Sequence, residues 1–140
     1  MATDFTYIEC DFFVLGNLSS LAIRNGNGES CLRMLKFLQL AKPKNAATFH
    51  LEASYYRSIG ERELALAFLE SNNIFQMEKN RDAAIAFHLL LLFELERIGE
   101  VSRLGRIYIE ENLVNEPSAL KVIEIAMERA HRDIDVMREG

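Results

Sequence analysis

The chain has 140 residues, 49% of them apolar and 26% charged, the balance of one ordinary globular domain rather than of a disordered chain. Its formal charge of −5, from 16 Lys and Arg against 21 Asp and Glu, argues against nucleic acid or an anionic membrane surface as a partner. Cys10 and Cys31 have no metal-ligand spacing and build no disulfide framework. No basic stretch with an apolar core opens the chain, and the longest apolar run, Ala83 to Phe93 interrupted by His88, is 11 residues where a membrane span needs roughly 20. The expected setting is a reducing cytosol, with both thiols free and packed as small hydrophobes.

Apolar residues recur at helical spacing almost throughout, and no useful segment alternates with period two, so an all-α fold is predicted. A first helix spans about Asp4 to Arg24, with Ile8, Phe12, Leu15, Leu18 (or Ser19) and Ala22 on one face, and Asn25-Gly26-Asn27-Gly28 breaks it. A second runs from about Glu29 to Ala41. It stops before Pro43, because the residue preceding proline disfavours the α region. Asn45 is the natural N-cap of a third helix reaching Ser58, which Gly60 ends, and a fourth covers Glu61 to Ser71. Residues 72–77 read as a loop or a short turn of helix. Arg81 to Arg97 is then a fifth helix, apolar nearly all round and closed by Gly99. A sixth follows from about Glu100 to Asn112. Pro117, a favoured first-turn residue, opens the last helix, which continues to about Arg138. One domain, residues 1–140, contains them all.

Gly26 and Gly60 are 34 residues apart, and so are Leu15 and Phe49, Ser19 and Ala53, Ala22 and Tyr56, Cys31 and Ala65, and Leu35 and Leu69. A 34-residue helix–turn–helix period with small residues at the close crossings is that of the tetratricopeptide repeat (TPR). Pro43 falls where the repeat's terminal proline belongs. Gly99 is 39 residues after Gly60, so a third copy requires an insertion of about five residues near 72–80. That register places His88, Leu92, Leu95, Leu104 and Tyr108, with bulky Leu92 and Leu104 at positions meant for small residues. The predicted architecture is therefore a short TPR-like superhelix of about three helix pairs with a C-terminal capping helix. A generic helical bundle is the alternative.

The chain also resembles a known family, the TPR-like co-chaperones of the type III secretion needle subunit (the YscG/PscG-like family). The likeness is densest in His50-Leu-Glu-Ala-Ser-Tyr-Tyr-Arg-Ser-Ile-Gly-Glu-Arg-Glu-Leu-Ala-Leu-Ala-Phe-Leu69. It returns in Leu92-Phe-Glu-Leu-Glu-Arg-Ile-Gly-Glu-Val-Ser-Arg-Leu104 and in the C-terminal amphipathic helix, and in layout it covers roughly Leu18 to Met137. The resemblance implies a cytosolic chaperone that sequesters an amphipathic helix of the needle subunit, with a second small helical co-chaperone completing the complex. The first 15 or so residues have no clear counterpart in that family.

No constellation for catalysis stands out. Gly26-Asn27-Gly28 lacks the strand and third glycine of a phosphate loop, and no Ser/His/Asp or Cys/His spacing suggests a nucleophile. His131 and Asp135 are an i,i+4 pair whose plain reading is two solvated neighbours. The expectation is a protein-binding module with no enzyme activity, cofactor, metal or small-molecule substrate. Its inner face, counted from the repeat register, presents Phe13, Ser20 and Ile23, then Ala47, His50, Ser54 and Arg57, then Ala86, Leu89, Phe93 and Glu96. Small residues between apolar anchors leave room for a partner helix, and Arg57 and Glu96 could fix its direction. Alternatively the chain's own last helix closes this apolar surface. That helix carries a seam at Leu120, Ile123, Met127, Ala130, Ile134 and Met137, which demands a matching surface on the sixth helix or on another chain. The first is favoured, because solenoids need a closed end. A general TPR scaffold docking a peptide of another assembly remains the second functional reading; several inner-face Lys or Arg would favour it, and only Arg57 stands there.

Overall fold

The computed structural model describes residues 16–139; the expected helix start at Asp4, Cys10 and the candidate Phe13 lie outside the described residues. Seven α-helices follow one another among the described residues. The described part of α1 is residues 16–24, and α2 is Leu32–Ala41, led in by a 3-10 turn at Gly28–Cys31. Next come α3 (Ala46–Ser58), α4 (Arg62–Ser71), α5 (Arg81–Glu94), α6 (Ile98–Glu110) and α7 (Pro117–Glu139). The fold is all-α, as the period-3.6 patterning predicts. Asn45 caps α3 as expected, its Oδ1 accepting from the Ala47 amide at 3.0 Å.

Each helix packs on the next one or two in sequence. α2 lies on α3, α3 on α4 and α5, α4 on α5, and α7 on both α5 and α6. Several helices end in the same kind of cap. At the ends of α1, α3 and α5 the backbone turns left-handed at Gly26 (φ 80°), Gly60 (φ 86°) and Glu96 (φ 62°). The amides of Gly26, Gly60 and Glu96 donate to Ile23, Arg57 and Phe93, and those of Asn27, Glu61 and Arg97 reach back to Ala22, Tyr56 and Leu92. Two amides thus satisfy the last carbonyls of each helix in the same way. The small positions of the first two copies are buried as the register requires, with Ser19, Ala53 and Ala65 wholly inside and Cys31 nearly so.

The third copy departs from expectation. Its left-handed cap is Glu96, 36 residues after Gly60, and not Gly99, which lies in the first turn of α6. Helix α5 accordingly ends at Glu94 rather than Arg97. The equivalents of Phe49, Ala53 and Ala65 are then Ile85, Leu89 and Val101, all buried, instead of His88, Leu92 and Leu104. The insertion amounts to two residues. It is absorbed by a 3-10 turn at Ile74–Gln76 and by left-handed Asn73 and Asn80. Ile74 and Met77 plug this segment into the core, and the amides of Glu78 and Lys79 donate to the Lys44 carbonyl while Ala46 donates to Lys79. The 42–45 and 77–80 connections therefore run side by side.

Helix α5 explains its own composition. It is packed by α3, α4, α6 and α7, and Ala84, Ile85, Ala86, Leu89, Leu91 and Leu92 are all buried. The chain's last helix supplies the cover that an all-round apolar helix demands. The seam on α7 is offset from the predicted one. Ala119, Ile123, Ala126 and Ala130 are buried, Leu120, Met127 and Ile134 are half-buried, and Met137 is 76% exposed. Two facing helices leave a crevice that admits alanines at the centre and puts the longer side chains on its flanks. Gly105 belongs to this contact: a Cβ there would stand 2.6 Å from Cγ and Sδ of Met127. Gly105→Leu is expected to cost roughly 1–3 kcal/mol by urea titration, and adding Met127→Ala to recover much of it.

Two polar groups are buried between helices. Glu52 is wholly buried where α2 crosses α3, and its carboxylate accepts from Lys36 at 2.9 Å, Gln39 at 3.0 Å and the Tyr56 hydroxyl. Burial and the neighbouring carboxylate push the Tyr56 hydroxyl pKa upward. His88, buried on α5, holds Glu70 of α4 through Nε2 at 3.0 Å and meets the Phe75 ring edge-on.

Candidate functional site

A cavity of about 460 Å³ opens where the first helices of the three hairpins come together. Gly16, Asn17 and Ser20 of α1 form one wall, and Ala47, Thr48, His50 and Leu51 of α3 form the opposite one. Ala83 at the start of α5 and Leu38 of α2 complete its apolar part. The paired connections supply the rest: Lys42, Asn45, Lys79 and Asn80. Asn45 is fixed there twice, as the cap of α3 and as acceptor of the Asn80 amide at 2.9 Å. Among the described residues, no Asp or Glu lines the cavity. Its size falls in the range of natural ligand and peptide pockets.

Two of its polar groups are unusual. Thr48, one of the lining residues, has a buried Oγ1 with no hydrogen-bond partner. His50 packs tilted against the Phe87 ring, centroids 4.6 Å apart, and burial lowers its pKa to about 4. Since the unfolded chain then takes up the proton first, at an ordinary pKa near 6.5, stability is complete above that pH and is lost as pH falls toward 4. His88, also lowered chiefly by burial, acts in the same direction. Between pH 7 and pH 5 the unfolding free energy is expected to fall by about 2 kcal/mol from His50 alone. His50→Gln removes that part of the slope, measured by urea titration at both pH values.

The structure brings together only some of the predicted inner-face residues. Ala47, His50 and Ser20 line the cavity. Ser54 is half-buried further along α3. Ile23 is half-buried at the α1–α2 turn, its Cγ1 beside Gly28 where Tyr55 also packs. Ala86 and Leu89 are core, 3% and 0% exposed, because α4, α6 and α7 enclose that side of α5; no partner can reach them in this fold. Phe93 is half-buried against the same core. Arg57 is engaged by Glu94 through a two-bond fork at 2.6 and 2.7 Å, with Arg62 at 3.6 Å from the same carboxylate. Each holds the other's charge, so the Arg57 pKa rises and that of Glu94 falls. Glu96 sits exposed in the cap of α5. Arg57 and Glu96 do not form the pair of end-markers that the register suggested.

The 36-residue interval between the second and third copies sets Ala83 opposite Ala47, a signal the glycine spacing concealed. Lys42 and Lys79 come from connections, which no helical register reaches. Among the described residues, no group of three or more His, Cys, Asp or Glu side chains is placed to hold a metal ion. Cys31 is a free, buried thiol, and no helix among the described residues is long and apolar enough to cross a membrane. His131 and Asp135 are both exposed on α7. No family model, curated protein or solved structure matches this chain.

Proposed function

We propose that the chain is a short TPR-like protein-binding module whose cavity, between α1, α3 and the start of α5, receives an amphipathic segment of a partner and shields it from self-assembly. One observation carries the reading. Positions that are equivalent under the 34- and 36-residue register, Gly16 with His50 and Ala47 with Ala83, line one common cavity. A surface built from the same position of successive hairpins is how helical repeats bind extended partners. Following the family resemblance, the partner is the needle subunit of a type III secretion system, held in the cytosol with a second small co-chaperone until export. No nucleotide, cofactor or catalysis is implied.

The test is co-expression of the chain with a needle subunit and the small co-chaperone. The expected product is a soluble complex in which light scattering shows the subunit failing to polymerise. Ala47→Glu combined with Leu51→Glu is expected to abolish the complex while the thermal melt remains cooperative. A soluble complex that survives this double substitution contradicts the reading. Lys42 and Lys79 at the cavity favour one competing version, a general scaffold that docks an acidic peptide of another assembly. It predicts that Lys42→Glu with Lys79→Glu costs more binding than the two α3 substitutions.

A further inference from the structure

The first turns of α3 and α5 meet at the cavity. Asn45 and Lys79 form a parallel backbone bridge just before the two helices, so both helices start side by side. At a helix start the leading amides have no intrahelical partner, and the macrodipole presents about half a positive charge. The two starts are capped differently. Asn45 caps α3, and the Ala46 amide donates to the Lys79 carbonyl. No side chain caps α5, because Asn80 gives its side-chain amide to Asn45 instead. Asp82, the acid of that first turn, accepts from the Asn115 and Glu116 amides at 2.8 and 2.9 Å, and so serves the start of α7. Asn80 and Ala83, on either side of the uncapped turn, both line the cavity. A second observation points to a ligand at the same place. Thr48, in the first turn of α3 and 8% exposed, lines the cavity and has a buried hydroxyl with no partner. Lys79, another lining residue, adds a full positive charge.

We infer that this end of the cavity is a subsite for one carboxylate on a short apolar stem, held by the leading amides of α5, the Thr48 hydroxyl and the Lys79 ammonium. A carboxylate is favoured over a phosphate. One lysine and two helix starts match a single negative charge, and among the described residues no arginine lines the cavity to fork onto phosphate oxygens. Ala47, Leu51 and Ala83 give the stem an apolar wall. The inference deepens the proposed function: a partner segment that brings an acidic side chain, or its own chain end, to this point enters the cavity in one direction only. It rests on that reading for the role of the cavity. The subsite is measured with small acids and no partner, so either can fail without the other.

The experiment is amide NMR on the isotope-labelled full chain, titrated with butyrate, its neutral isostere butyramide, and inorganic phosphate. Butyrate is expected to shift the amides of Thr48, Asn80 and Ala83 saturably. Butyramide is expected to bind at least about tenfold more weakly, the worth of one charge-assisted hydrogen bond. N-acetylalanine separates the two sources of the carboxylate: binding tighter than butyrate supports a chain end, and weaker binding supports an acidic side chain. Thr48→Val is expected to weaken butyrate severalfold while leaving the urea midpoint of the unliganded chain unchanged, because the hydroxyl it removes has no partner there to lose. Lys79→Gln is expected to weaken butyrate and not butyramide. Equal binding of butyrate and butyramide overturns the proposal, as does a titration that leaves these three amides unmoved. Phosphate binding more tightly than butyrate overturns the choice of a carboxylate. A Thr48→Val chain that loses stability but keeps its butyrate affinity overturns the proposal too, by making the hydroxyl part of the core.

Discussion

Leu89→Glu is expected to leave no cooperatively folded chain at 25 °C. Leu89 is 0% exposed in the middle of α5, which α3, α4, α6 and α7 pack around. Removing a buried leucine side chain to alanine already costs 2–5 kcal/mol, and an unpaired carboxylate adds several more. A domain whose whole stability is of the order of 5–15 kcal/mol does not survive that sum. Phe93→Glu, one turn further along and half-buried, is expected to cost less and to retain a transition in urea. Far-UV circular dichroism during a urea titration checks both. A folded Leu89→Glu chain that only loses partner binding would return Leu89 to the groove where the glycine-based register put it.

Truncation after Asn115 is expected to have an effect of the same size. The chain would lose Ala119, Ile123, Ala126 and Ala130, all buried, and with them the cover over α5 and α6. Exposed core on a helix as apolar as α5 favours collapse without a unique fold and self-association. The truncated chain is expected to melt without a cooperative transition and to elute as aggregates. A truncated chain that stays folded and monomeric but no longer binds its partner would make α7 an interface element rather than part of the core. Removing only the residues after Arg132 is expected to be nearly neutral, since Val136 and Met137 are 68% and 76% exposed.

The all-α fold and most helix ends are legible in the sequence because they depend on local chemistry: the Asn45 cap, the Pro117 start, and the left-handed glycines at 26 and 60. The third copy was misread because Glu96 takes the left-handed position that glycine fills in the other two. A non-glycine residue there costs strain, and burial around α5 sustains it. Glu52 was silent, a polar residue on a helix with no spacing to mark it, and its burial follows from α2 crossing α3. His88 was marked only by its place in an all-round apolar helix, and its partner Glu70 follows from α4 meeting α5. The cavity mixes helix positions, which a register can reach, with connection lysines, which only the insertion at 72–80 brings to Lys42. Ala47, His50 and Ser20 were therefore foreseeable, while Thr48, Lys79 and Ala83 depended on the three-dimensional path.

The central claim is that a partner enters the cavity of α1, α3 and α5 rather than binding the outer edge of α7. Amide hydrogen exchange with and without the needle subunit proposed as partner separates these two surfaces. The account predicts new protection confined to residues 16–20, 47–51 and 79–87, with rates along α7 unchanged. Protection along the exposed edge of α7, at Val122, Ile125 and Val136, with the cavity amides unaltered, would contradict it.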